Sequence, residues 1–97
     1  MCNCSISLQV LPGVLEGELF GAVDKVIEYI ISTGVRYVVG PFDTTMEGDF
    51  DELMDILKRC QQIAVENGAD GVFSNVKIAY HPKGVSTIDE KTSKYRG

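Results

Sequence analysis

Apolar and polar residues alternate from Cys4 to Leu11, and this period of two predicts a first β-strand. One face of that strand is aliphatic and the other polar, with Ile6, Leu8 and Val10 opposite Ser5, Ser7 and Gln9. The pair Pro12-Gly13 is typical of a turn and ends the pattern. The chain therefore opens with a strand that separates an apolar side from a polar one.

The spacing changes to three and four residues between Glu16 and Thr33, which predicts an amphipathic helix. Its apolar stripe includes Val23, Val26, Ile27, Ile30 and Ile31. Gly34 follows as a C-terminal cap. A β-branched and aromatic run from Arg36 to Gly40 predicts a second strand, and Pro41 to Asp43 predict a turn.

Thr44 to Glu47 predict a short returning strand, and Asp49 predicts the N-cap of a second helix. The buried stripe predicted for this helix comprises Phe50, Leu53, Leu57, Cys60 and Ala64, widened by Ile56 and Ile63. Asn67-Gly68 ends the helix, and alternation from Gly71 to Tyr80 predicts a last strand. Val72, Ser74, Val76, Ile78 and Tyr80 share one face of it, and Phe73, Asn75, Lys77 and Ala79 share the other.

The element order β-α-β-β-α-β predicts an α+β, ferredoxin-like fold, a four-stranded antiparallel sheet with two helices on one face. Residues 1–84 form this domain, and Val85 to Gly97 form a tail that either docks or is loosely ordered. The chain itself then leaves the second face of the sheet uncovered. Because the strands carry much apolar surface, we expect a homo-oligomer, a dimer or tetramer.

Net charge narrows the classes of partner. The 97 residues carry a formal charge of −5, and no basic stripe is present to neutralise phosphates, so a nucleic-acid surface is not expected. Acidic residues are concentrated between Arg36 and Lys58. They either stabilise the N-terminus of the second helix through its macrodipole or form an electronegative mouth for a cationic ligand, and the two roles are compatible.

Three cysteines, Cys2, Cys4 and Cys60, make an odd count. Met1 leads directly into a strand pattern, and no apolar run reaches the roughly 18 residues of a membrane helix, so we expect a cytoplasmic protein with reduced thiols. Cys2-x-Cys4 lacks a second pair of ligands. Neither a metal nor a cofactor is expected.

Polar residues on two predicted strands are candidates for ligand binding. Ser7 and Gln9 either line a cavity or face solvent or an interface, depending on which face of the sheet the helices cover. Thr44, Thr45 and Glu47 either form a plain edge strand or supply hydroxyls and a carboxylate that accepts paired hydrogen bonds from an amino-heterocycle. Strand alternation places Thr44 and Thr45 on opposite faces unless the strand is bulged.

Catalytic residues are not evident. His81 is the one histidine, stands at a strand end before a proline, and is interpreted as a surface-loop residue. No serine or cysteine can be assigned to it as a nucleophile. Tyr37, Tyr80 and Phe42 either pack in the core or stack on a flat ring, and Lys77 either extends to the sheet edge or meets Glu47. Binding is therefore favoured over catalysis.

Three segments resemble the thiamine-binding protein family, the small YkoF-like group. They are the opening Ser7 to Pro12, the segment Thr44 to Asp49 and the strand Val76 to Ile78, and the similarity extends over roughly Asn3 to Gly84. The resemblance implies a cytoplasmic, ferredoxin-like protein that assembles through its sheet. It also implies binding of thiamine or hydroxymethylpyrimidine without catalysis, in salvage or transport.

The resemblance transfers the family's threonine-glutamate-glycine element to Thr44, Glu47 and Gly48, and its first-strand polar positions to Ser7 and Gln9. Glu47 is expected to bind the aminopyrimidine edge, with support from Thr44, Thr45, Ser7 and Gln9 and stacking by Tyr37. The alternative is a regulatory or assembly protein that binds a partner through its open sheet face.

Overall fold

The computed structural model describes residues 2–12, 19–68 and 71–95. Four strands form one sheet: β1 (Cys4–Pro12), β2 (Arg36–Val39), β3 (Thr44–Gly48) and β4 (Val72–Tyr80). The helices are α1 (Leu19–Ser32), α2 (Phe50–Glu66) and α3 (Ile88–Thr92), and a 3-10 turn follows at Ser93–Tyr95. The predicted start of the first helix at Glu16 and the turn at Gly13 lie outside the described residues.

The strands lie in the order β2-β3-β1-β4, and every neighbouring pair is antiparallel. Both long helices contact β1 from the same side. This is the α+β arrangement that the element order predicts, so the predicted fold class is confirmed. The described registers run without interruption, and therefore the alternation of side chains between the two faces holds along each strand.

The core lies between the helices and the sheet, on what we call the helix side. Strand β1 contributes Ile6 and Leu8, β3 contributes Met46, and α1 contributes Val26 and Ile30. Helix α2 contributes Leu53, Ile56, Cys60, Ile63 and Ala64. Burial of these apolar surfaces, at about 25 cal/mol per Å², is the main favourable contribution to folding.

Capping residues in the sequence explain where α2 begins and where α1 ends. Asp49 is the N-cap of α2, and its carboxylate accepts a hydrogen bond from the Glu52 backbone N–H at 3.1 Å. Gly34 follows α1 with a φ of 81°, a left-handed conformation that glycine adopts without steric cost. None of the helices in the described ranges is both long and apolar enough to cross a bilayer.

The second face of the sheet, which we call the open side, is largely uncovered by the chain, as the element order predicts, and the tail contacts only part of it. The tail after Gly84 forms α3, which packs against this face and buries Ile88. Thr87 caps α3 and forms a reciprocal capping box with Glu90. Of the two alternatives for the tail, docking is therefore the one observed through Tyr95. Exposed Leu11 and Phe73 remain beside each other farther along this face.

Candidate ligand-binding site

The six predicted site residues divide between the two sides of the sheet. Ser7, Gln9, Thr45 and Glu47 face the open side, because they alternate with the buried residues of β1 and β3. Thr44 faces the helix side, and so does Tyr37, which is paired with Met46. Without a bulge in β3, Thr44 and Thr45 do not share a cavity. The six residues therefore do not form a single constellation.

Glu47 is half-buried, and its carboxylate is engaged by the tail. Its Oε2 accepts a hydrogen bond from the backbone N–H of Ile88 at 2.7 Å. Arg36, the neighbour of Glu47 across β2 and β3, donates from Nη2 to both carboxylate oxygens of Asp89 at 2.9 Å. These contacts attach the beginning of α3 to the sheet. A role for Glu47 in ligand binding stays a prediction, and it requires this acceptor to be released.

Two of the other predicted site residues, and Lys77, which the sequence offered as a partner of Glu47, also have defined surroundings. The Gln9 side chain accepts a hydrogen bond from the Asn75 amide at 3.0 Å on the open side. Tyr37 packs against the core cluster. Lys77 lies directly opposite Ser7 on β4 and, within the part of the chain that the structure describes, forms no ion pair with Glu47.

A cleft of about 140 Å³ opens between α1, β1 and the β2–β3 turn, and we call it the α1 cleft. Its walls are mainly aliphatic and include Leu8, Val10, Val26, Ile30 and Val39. Phe42, 81% exposed, stands at its rim. The cleft is therefore an apolar recess at one end of the sheet, next to a compact turn.

Two polar residues of β3 and the turn before it line the α1 cleft. Thr44 is only 7% exposed, and its hydroxyl has no hydrogen-bond partner among the described residues. No fully buried polar side-chain atom in those residues lacks a partner, so this hydroxyl opens to the cleft. Asp43 is the one ionisable residue among the described lining residues. Gln9 of β1, another predicted site residue, also lines the cleft, which is thus an apolar recess with a few polar groups.

The position of Asp43 is fixed from both sides. Its carboxylate Oδ2 accepts a short hydrogen bond from the Ser7 hydroxyl, and its backbone carbonyl accepts one from the Gly40 N–H at 2.7 Å. A methyl group on Gly40 would meet the Asp43 Oδ1 at 3.4 Å. Sequence reasoning treated Asp43 as a turn residue and as one of the acidic residues between Arg36 and Lys58 that were a candidate electronegative mouth. Its hydrogen bond to Ser7, 36 residues earlier in the chain, has no signal in the local sequence pattern.

Among the described residues, no hydrogen bond joins His81 to a serine or cysteine side chain. His81 is exposed, and its Nδ1 accepts a hydrogen bond from the Lys83 N–H at 3.1 Å within a turn. Burial raises the pKa of the Cys60 thiol to about 11 and also raises that of Cys4. Protonated thiols are poor nucleophiles. Within residues 2–12, 19–68 and 71–95, no group of three or more His, Cys, Asp or Glu side chains could hold a metal ion.

The described residues form a small α+β domain with an apolar cleft at one end of its sheet. The chain belongs to the thiamine-binding protein family, whose model matches residues 6–96. It is 55% identical over 96 residues to a UPF0045 protein of Clostridium perfringens, covering 99% of this chain and 100% of that one.

Solved structures show the same architecture. A Bacillus cereus domain of unknown function, DUF77, is 43% identical with a TM-score of 0.90, covering 99% of this chain and 93% of that chain. A Thermotoga maritima protein provisionally assigned to thiamine biosynthesis or salvage is 39% identical with a TM-score of 0.87. That match covers 97% of this chain and 99% of the Thermotoga chain.

Proposed function

We propose that this protein binds thiamine or its hydroxymethylpyrimidine precursor without altering it, and that the pyrimidine ring enters the α1 cleft. Membership of the thiamine-binding protein family supports the ligand class. The assignment of the Thermotoga relative to thiamine biosynthesis or salvage supports a role in salvage; a role in transport is the other half of this proposal. The observation that carries the choice of site is the single carboxylate, Asp43, beside the free hydroxyl of Thr44 in an apolar recess.

The size of the cleft matches one ring. An apolar cavity of about 150 Å³ is known to hold benzene, and the α1 cleft measures about 140 Å³. Typical pockets for larger ligands begin near 300 Å³. The cleft therefore takes the pyrimidine, and the thiazolium ring of thiamine would stay at its mouth.

Chemistry at the cleft agrees with this orientation. A carboxylate accepts hydrogen bonds from the exocyclic amino group of the pyrimidine, and a hydroxyl can donate to a ring nitrogen. At the mouth, the aromatic face of Phe42 attracts a cation such as thiazolium, and the charge of Asp43 adds to this attraction. Phe42 takes the stacking role that the sequence assigned to Tyr37, and Asp43 the role assigned to Glu47.

The test is calorimetric titration with thiamine and with hydroxymethylpyrimidine. Asp43→Asn keeps an acceptor for Ser7 but removes the charge, and we expect it to weaken binding by about tenfold or more, since a hydrogen bond to a charged group contributes about 1.5–3 kcal/mol. Asp55→Asn, on the exposed face of α2, removes the same charge away from the cleft and should leave the affinity unchanged.

The variant Glu47→Gln tests which carboxylate, that of Asp43 or that of Glu47, binds the pyrimidine. If Glu47 binds the pyrimidine edge, as the sequence predicts, Glu47→Gln will lose affinity and Asp43→Asn will not. In that case the ligand will have displaced α3 from Glu47. Absence of heat from both ligands with the wild-type protein would contradict the proposed function itself. Recovery of unchanged ligands after incubation, checked by mass spectrometry, tests the proposal that binding is not followed by catalysis.

We also propose a cytoplasmic homo-oligomer, a dimer or tetramer, that uses the uncovered part of the open side. Leu11 and Phe73 are cross-strand neighbours and are 46% and 66% exposed. A second copy that covers this pair would remove apolar surface from water. Under the alternative function, regulation or assembly, a different protein would cover the same pair. The mass in solution, measured by light scattering, distinguishes an oligomer from a monomer.

A further inference from the structure

A second recess lies on the open side of the sheet, under α3. It measures about 230 Å³, and we call it the α3 groove. The residues used in the argument are Ser5 and Ser7 of β1, Thr45 of β3, Lys77 and Ala79 of β4, and Lys91 of α3. The proposed thiamine function does not use this groove.

The register explains how these groups meet. Thr45, Ser7 and Lys77 form one row across three neighbouring strands on the open side. Directly opposed residues of antiparallel strands lie about 4.5–5.5 Å apart. The next row toward the start of β1 contains Ser5 and Ala79, and the small alanine side chain leaves space above the sheet. Helix α3 then places Lys91 at the other wall of the groove.

Most of the polar groups of the groove have no partner among the residues that the structure describes. Ser5 is 7% exposed, yet no described residue forms a hydrogen bond with its hydroxyl. Because no fully buried side-chain polar atom among the described residues is unsatisfied, this hydroxyl faces the groove. Thr45, Lys77 and Lys91 likewise form no side-chain hydrogen bond or ion pair within the described ranges. Ser5 is nearly buried, and buried polar groups are normally satisfied, whereas Lys77 and Lys91 are exposed beside it. The groove therefore has room for a ligand or ordered water at these groups.

The available groups are nearly all donors. Two ammonium groups and two hydroxyls can donate to the same small volume, whereas the hydroxyl hydrogen of Ser7 is directed to Asp43. The Asp43 carboxylate, in the turn before β3, accepts the Ser7 hydroxyl hydrogen, and Glu47 lies in the next row, opposite Ser5. Among the described residues, neither carboxylate forms an ion pair with Lys77 or Lys91.

We propose that the α3 groove binds a phosphate group between Lys77 and Lys91, with the hydroxyls of Ser5 and Thr45 as further donors. A phosphate has several strong acceptor oxygens and forms charge-assisted hydrogen bonds with ammonium groups. The volume of the groove also admits part of a molecule that carries the phosphate. Phosphate and phosphomonoester share this chemistry, and the experiment distinguishes them.

The experiment is a ¹H–¹⁵N NMR titration of the whole protein at constant ionic strength, with inorganic phosphate in one arm and phenyl phosphate in the other. We expect saturable shifts of the amides of Ser5, Thr45 and Ala79. Tighter binding of phenyl phosphate would identify a phosphomonoester as the ligand, and equal binding would identify the free ion. Both outcomes support the proposal.

Lys77→Gln and Lys91→Gln should each raise the dissociation constant about tenfold, because each removes one charge-assisted hydrogen bond. Lys58→Gln, an exposed lysine on α2, is the matched control and should leave the constant unchanged. Because Lys91 lies on α3, its substitution can also change the folding of that helix, so Ser5→Ala, on β1, is a second test. It should weaken phosphate binding several-fold while the NMR signals of α3 are retained. Shifts that never saturate, or equal affinity in the Lys77 and Lys58 variants, would overturn the proposal.

Discussion

On the helix side, β1 presents Ile6 and Leu8 to two long helices, and both side chains are almost completely buried. On the open side, the same strand presents Ser5 and Ser7 to one short helix of five residues. Apolar burial, which is non-directional and proportional to area, holds the first side together. A few hydrogen bonds and an exposed ion pair hold α3 on the second. We infer that the open side opens more easily, which suits a region that admits ligands.

The sharpest test of this contrast is one substitution made on each side. Leu53 on α2 is fully buried against the sheet, and Leu53→Ala should lower the free energy of unfolding by about 2–5 kcal/mol. In the monomer, Leu11→Ala makes the same chemical change at a half-exposed position on the open side and should cost less than about 1 kcal/mol, so both variants are compared at a concentration at which the protein is monomeric. Urea unfolding measures both. Equal costs would mean that the open side is as tightly packed as the helix side.

A second test concerns the pH dependence of stability on the helix side. Burial raises the pKa of Cys60 from 9.0 to about 11, so between these values the folded state binds more protons than the unfolded state. The contribution of this thiol is complete below pH 9 and is lost as the pH rises through 11, by on the order of 2 kcal/mol. Urea unfolding of the wild type and of Cys60→Ala across this window measures the difference. Parallel curves for the two proteins would contradict the prediction.

The fold was predictable because it is encoded locally. Alternation in β1 and β4 and the three- and four-residue spacing in α1 and α2 each lie within a short segment, and the structure places these elements where the patterns do. Helix α3 was not predictable in the same way. Its five residues include a single buried apolar side chain, Ile88, and its position depends on Glu47, 41 residues earlier.

The candidate site was predictable only in part, for the same reason. Alternation correctly separates Thr44 from Thr45, and the structure places Thr44 in the α1 cleft. The engagement of Glu47 by α3 and the contact of Ser7 with Asp43 join residues that are distant in the chain. Such contacts depend on how the tail and the β2–β3 turn fold back on the sheet, and a local pattern of apolar and polar residues does not predict them.

The smallest expected effect concerns the attachment of α3. Glu47→Gln keeps the shape of the side chain but replaces a charged acceptor for the Ile88 N–H by a neutral one. Because charge-assisted hydrogen bonds are roughly twice as strong as neutral ones, we expect a loss of about 1 kcal/mol, confined to α3. Hydrogen exchange at Ile88 should then accelerate about fivefold, while exchange at Leu53 in the core is unchanged.

Glu28→Gln is the matched control, since Glu28 is exposed on α1 and its one ion pair among the described residues is with Lys25, at 3.3 Å. A surface pair of this kind contributes little, and exchange at Ile88 should not respond to it. If Glu47→Gln instead accelerates exchange at Leu53 as much as at Ile88, then α3 and the core unfold as one unit. The open side would in that case be no weaker than the helix side, and a ligand that displaces α3 would have to act against the stability of the whole domain.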